Sequence, residues 1–186
     1  MTNWTRRGFI VAAGAGLAAC TSDPKVPSNP RAELDRKVDA ALSELYQTVP
    51  GASELASRAE GILVIPSVKK AGFFASGAYG EGALLIGPAK VDYYSLSAAG
   101  LGFTFGASEY SQALFFLTKQ SLEDFRVADG WKLGVDAAYA VPRNGGAAAG
   151  VSSTQINRPI QEVVFSQKGL LADASFAGGK YSRIIR

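Results

Sequence analysis

GILVIPSVKKAGFF, residues 61–74, is the stretch on which the fold turns. Before it, apolar residues recur at three- and four-residue spacing; from Gly61 onward they recur at every second position, with glycines interspersed. That change of period marks a switch from helix to strand. Ile62 to Ile65 predicts a short apolar strand closed by Pro66, which leaves Ser67, Val68, Lys69 and Lys70 in the turn to the next strand. Gly72 to Gly80 and Gly82 to Gly87 predict two further strands, joined near Gly80-Glu81-Gly82.

Upstream, Asn29 and Pro30 form a helix start, with Asn as cap and Pro in the first turn. Leu34, Val38, Ala41, Leu42, Leu45 and Val49 line one face, charged residues fill the other, and Pro50-Gly51 ends the helix. A shorter helix follows, with Leu55, Ala56 and Ala59 inward and Gly61 as its stop. Downstream, strands are predicted over Tyr93 to Gly106, Tyr110 to Leu117, Trp131 to Val141 and Val151 to Ile156. Val163 to Gln167 and Leu170 to Ala177 flank Lys168-Gly169, a hairpin signal, and Tyr181 to Ile185 is the last strand. Ser121 to Phe125 reads as one or two helical turns opened by Ser121. Glycines inside strands mark bulges and sharp bends. The expected class is therefore α+β, with two N-terminal helices packed on a strongly curved antiparallel β-sheet or small barrel.

The 186 residues are 47% hydrophobic and 19% charged, enough apolar material for one ordinary core. Histidine is absent and there is one cysteine, which rules out histidine triads, the common zinc sites, thiolate metal cages and disulfides within the chain. Gly77-x-x-Gly80-x-Gly82 lacks the helix and the Lys-Ser/Thr that let a glycine loop cradle phosphates, so no nucleotide is expected. Glu81 and Asp136 are acids in strand sequences and read as solvated or salt-bridged. No catalytic residue and no metal ligand is assigned, and the chain reads as a non-enzyme.

TRRGFI, residues 5–10, resembles the twin-arginine export signal, carried by Arg6 and Arg7. LAAC, residues 17–20, resembles a bacterial lipobox, with the chain's single cysteine, Cys20, as the lipid acceptor. The expected organisation is a signal peptide over 1–19, a lipidated Cys20 with a proline-bearing tether over 20–30, and one domain over 31–186. Diacylglyceryl on Cys20 is the expected covalent group, in place of any cofactor. Anchorage follows, because each buried lipid methylene contributes about 0.8 kcal/mol. Thr21 after the cysteine points to the outer membrane, periplasmic side. With Arg6 and Arg7 removed, 17 basic residues face 16 acidic ones, a balance that gives no case for nucleic-acid binding.

Residues 61–74 followed by GAYGEG, residues 77–82, resemble the opening motif of the SYLF domain. GLGFTFG (100–106) with LFFLT (114–118) is similar to its central motif, and SQKGLLADASFAG (166–178) to its closing hairpin. The likeness runs in register through residues 31–186. It implies lipid binding: eukaryotic members of that family bind phosphoinositides and regulate actin, whereas bacterial members are exported proteins or lipoproteins. Actin regulation does not carry over to a bacterial envelope. The expected partner is an anionic phospholipid membrane, with an envelope adaptor that binds another protein as the alternative. Lys69 and Lys70 beside Phe73 and Phe74 are the expected lipid contacts, ammonium groups at phosphates and rings at headgroup depth. Arg143, Arg158 and Lys168, in predicted loops, extend the set if those loops share one end of the sheet.

Overall fold

The computed structural model describes residues 29–72, 75–101, 106–128, 130–132, 137–140, 158–169 and 179–186. Helix α1 (Pro30–Thr48) begins where the sequence places it, with the Asn29 side chain accepting from the amides of Arg31 at 3.1 Å and Ala32 at 3.3 Å. Leu34, Val38, Ala41 and Leu45 are its buried stripe. Helix α2 (Ala52–Arg58) follows Gly51, whose φ of 83° only glycine adopts freely.

Strands β1 (Gly61–Gly72), β2 (Ala75–Ile86), β3 (Ala89–Leu101) and β4 (Gly106–Phe116) come next in the chain. Helix α3 (Lys119–Val127) separates them from β5 (Trp131–Lys132), β6 (Ala137–Ala140), β7 (Ile160–Gly169) and β8 (Lys180–Ile184). Across the sheet the order is β5-β8-β3-β2-β1-β4-β7-β6. Seven strands pair antiparallel, and β6 joins β7 in parallel.

Two expectations need correction here. Pro66 does not close a strand: β1 runs through it, because the register slips between Val64 and Ser67 on one side and between Ile65 and Val68 on the other. A bulge at that point removes the need for the ladder hydrogen bond that proline cannot donate. The Pro66 carbonyl accepts from the Ser111 hydroxyl at 2.8 Å instead. Likewise Gly80 and Gly82 do not join two strands but lie inside β2. Built-on Cβ atoms would stand 2.7 Å from the Ser67 carbonyl oxygen at Gly80 and 2.1 Å from that of Val64 at Gly82. The glycines let β2 press against β1 where the sheet bends.

Each face of the sheet carries a core. Leu34, Val38 and Leu45 of α1 and Leu55 of α2 pack with Val64, Ala83, Phe115 and Phe165 on one face. Arg31 and Asp35 both bond the Tyr93 hydroxyl, at 2.9 and 2.8 Å, and tie α1 to β3. On the other face Phe125 of α3 sits among the rings of Tyr94, Phe116, Trp131 and Tyr181, with centroids 4.6 to 6.1 Å away. α3 starts one turn earlier than Ser121: Thr118 is the cap and accepts from the Ser121 amide at 3.2 Å.

The sheet is curled around this second core. Gln112 of β4 donates through its side-chain amide to the Tyr181 hydroxyl of β8. These strands are four positions apart, roughly 19 Å in a flat sheet, so two side chains meet only if β4 and β8 face one another across a half-barrel. Among the described residues β5 and β6 end the sheet without pairing to each other. The helices α1 and α2 therefore lie on the outer face and α3 on the inner one. No helix among the described residues is long and apolar enough to cross a membrane.

Candidate functional site

Among the described residues the helices α1 and α2 pack on one part of the outer face. Their partners on β1 and β4 are Val64, Ala113 and Phe115, which precede the Pro66 bulge on β1 and its facing segment on β4. Among the described residues no helix packs on the outer face beyond the bulge. Residues directly opposite in antiparallel strands share a face, so the ladders define which side chains stand together there. Lys69 lies opposite Tyr79 on β2 and Glu109 on β4, and Glu109 lies opposite Lys168 on β7. In the other direction Tyr79 faces Ser97, Ser97 faces Lys180 on β8, and Lys180 faces Lys132 on β5. All of them are exposed. One row across seven strands thus carries four lysines and a single carboxylate.

The electrostatics of the row are unbalanced. Among the described residues none of Lys69, Lys168, Lys132 and Lys180 makes an ion pair. The Glu109 carboxylate, though flanked by two lysines, accepts from the Ser67 hydroxyl at 2.5 Å. Nearby, Tyr79 donates to Glu81 at 2.6 Å, and Arg186 bonds the other oxygen of the same carboxylate. Burial pulls the Glu81 pKa upward, but the hydrogen bonds from Arg186 and Tyr79 and the Arg186 charge outweigh it and leave it lowered. Tyr79 in turn is raised, first by its hydrogen bond to that carboxylate. Glu81 is therefore held as a paired anion, which makes it a poor general acid or base at neutral pH. Among the described residues no three His, Cys, Asp or Glu groups are placed to hold a metal.

Of the residues singled out from sequence, the structure brings together Lys69 and Lys168. Both stand in strands rather than the expected turn and hairpin loop, because the bulge carries β1 past Pro66 and β7 continues to Gly169. Lys70 is on the opposite face, opposite Ala78 and Ser108, since neighbouring strand residues point to opposite sides. Arg158 precedes β7 at the helix-covered end, and eight residues of rise, about 27 Å, separate Ile160 from Lys168. So Arg158 and Lys168 do not share one end of the sheet. Cys20, Arg6, Arg7, Phe73, Phe74 and Arg143 lie outside the described residues, as does Asp136.

Lys132 and Lys180 were missed by sequence reasoning. Each shows only as a lysine beside an aromatic, Trp131 or Tyr181; what makes them a pair is the β5–β8 register, which is non-local.

No protein-family model matches the chain. Over 159 residues, 86% of its length, the chain is 27% identical to a protein of Aeromonas veronii named "Beta cell expansion factor A". It spans 59% of the length of that relative.

Proposed function

We propose that the chain is an exported lipoprotein whose domain binds anionic phospholipid headgroups without catalysing a reaction. In this reading the domain is a SYLF-type module, with two N-terminal helices covering part of a strongly curved sheet, and Cys20 carries the lipid that holds it to the periplasmic side of an envelope membrane. The observation that carries the proposal is the pair Lys69 and Lys168, two exposed ammonium groups flanking one carboxylate on one sheet face, neither of which makes an ion pair among the described residues. Phe73 and Phe74 follow β1 directly in sequence, and the reading gives them the headgroup layer. Near an anionic surface each lysine contributes about 1 kcal/mol. That is weak alone but sufficient for a domain already tethered, since tethering raises the local concentration of headgroups. The match to a protein named as an expansion factor neither supplies nor removes a lipid in this proposal.

The test is sedimentation of the full chain carrying Cys20→Ser with vesicles of phosphatidylcholine, alone or mixed with an equal share of phosphatidylglycerol. Binding to the mixed vesicles and not to the neutral ones is the expected result. Absence of binding to both refutes the proposal.

An envelope adaptor is the second reading, and one observation favours it. Next to the lysine row, Ala99, Gly77, Ala71 and Ala107 form an exposed row of small residues, a smooth surface against which another protein chain packs closely. A single dominant crosslinked protein in intact cells, combined with no preference for anionic vesicles, selects the adaptor.

A further inference from the structure

Lys132 and Lys180 are direct cross-strand partners on β5 and β8, and both are exposed. Side chains so placed start about 5 Å apart, and like charges there repel. Among the described residues neither lysine makes an ion pair that would offset the repulsion. Gly130 has a φ of 79°, and a Cβ at that position would stand 2.2 Å from Cε and 3.0 Å from Nζ of Lys180. The Lys180 stem is laid over the glycine, which keeps its ammonium beside the turn into β5. Lysine on a short edge strand deters edge-to-edge pairing, and that accounts for Lys132. It does not account for a second lysine opposite it on the inner neighbour β8.

The curl of the sheet decides where this pair points. β4 and β8 face each other through Gln112 and Tyr181, so their outer faces look in opposite directions. Lys69 and Lys168 flank β4; Lys132 and Lys180 lie at the other end of the sheet, on β5 and β8. We infer that Lys132 and Lys180 form a second phosphate-contact site, on the opposite side of the half-barrel from the first, so that one domain holds two anionic lipid surfaces together. A phosphodiester oxygen between the two ammonium groups cancels the repulsion that the fold otherwise retains. The inference rests on the proposed reading of Lys69 and Lys168 as headgroup contacts.

Light scattering from the same vesicles, read beside sedimentation, tests it in the Cys20→Ser chain. The parent chain should both sediment with anionic vesicles and cluster them. Lys132→Ala with Lys180→Ala should still sediment through the first pair but lose clustering, and Lys69→Ala with Lys168→Ala should lose clustering in the same way. Clustering that survives Lys132→Ala with Lys180→Ala overturns the second site, as does a parent chain that sediments without clustering; in both cases the anionic-lipid reading stands. No sedimentation with either vesicle removes that reading and this inference together. A lipid-free measurement guards against a misfolded variant. Lys132→Glu, which places opposite charges across the strands, should melt at a higher temperature than the parent in chloride buffer. Phosphate at matched ionic strength should raise the melting temperature of the parent more than that of Lys132→Glu, which keeps the first pair and the general stabilisation by phosphate; equal shifts in both overturn the site.

Discussion

An added methyl group at Gly82 would lie 2.1 Å from the Val64 carbonyl oxygen and 2.8 Å from Cγ1 of Ile65. Neither atom is the end of a flexible surface chain, so Gly82→Ala should cost about 1 to 3 kcal/mol, the range of overpacked cores. Gly77→Ala, three residues beyond Gly80 toward the open end, meets nothing within 4 Å and should be neutral in the same urea denaturation series. At Glu81 the sign of a pH effect is fixed by the lowered pKa. A carboxyl depressed in the folded state contributes stability above its unfolded pKa and loses it as the pH falls through the folded value. Arg186→Gln should therefore raise the Glu81 pKa in an NMR titration and weaken the fold slightly at neutral pH, with the difference vanishing in acid below both pKa values. At this scale the sequence was half legible. Glycine at 80 and 82 announced a special backbone, but a turn and a close strand approach call for the same residue. The separation of Lys69 from Lys70 onto two faces follows from period two alone, once Pro66 is understood as a bulge.

Among elements, α1 was the most legible, because its cap, its apolar stripe and its Pro-Gly stop are all local. Asn29→Ala should cost about 1 kcal/mol, read as a lower melting temperature with unchanged helix content in the folded baseline. Helix α3 and strand β8 meet at Asp92, a buried carboxylate that accepts from Arg126 at 3.0 Å and from Arg183. Asp92→Ala should cost about 2 kcal/mol, in the range for hydrogen bonds to a charged group. Both guanidiniums reach water, so the loss stays below that of a fully buried pair. The single strand read over Trp131 to Val141 is instead two, β5 and β6, at opposite ends of the sheet. Alternation reports which residues share a face and nothing about which neighbour they choose. The bulge opposite Tyr110 on β4, where Ser166 takes a φ of 54°, was invisible for the same reason.

At the scale of the molecule, the row of lysines emerges only when seven strands are set in register. No window of sequence contains it, since Lys69 and Lys168 are brought together by β4, which contributes neither. Charge reversal of both, Lys69→Glu with Lys168→Glu, in a chain that also carries Lys132→Ala and Lys180→Ala, removes at least two contributions of about 1 kcal/mol each, so affinity for anionic vesicles should fall about thirtyfold or more. Lys70→Glu, on the other face, should leave that affinity within about twofold, a difference of under 0.5 kcal/mol. Added salt should erase the contrast, because exposed charges are screened.

The Pro66 bulge divides the molecule as well as the strand. Below it β1 is sandwiched between helices and aromatic rings; above it no helix among the described residues covers the outer side of the ladder. Amides from Ile62 to Ile65 should exchange with deuterium only through global opening, whereas those from Val68 to Ala71 should exchange by cheaper local excursions. The end that bears the charges is then the compliant one, able to settle onto an uneven surface while the insulated end keeps its shape.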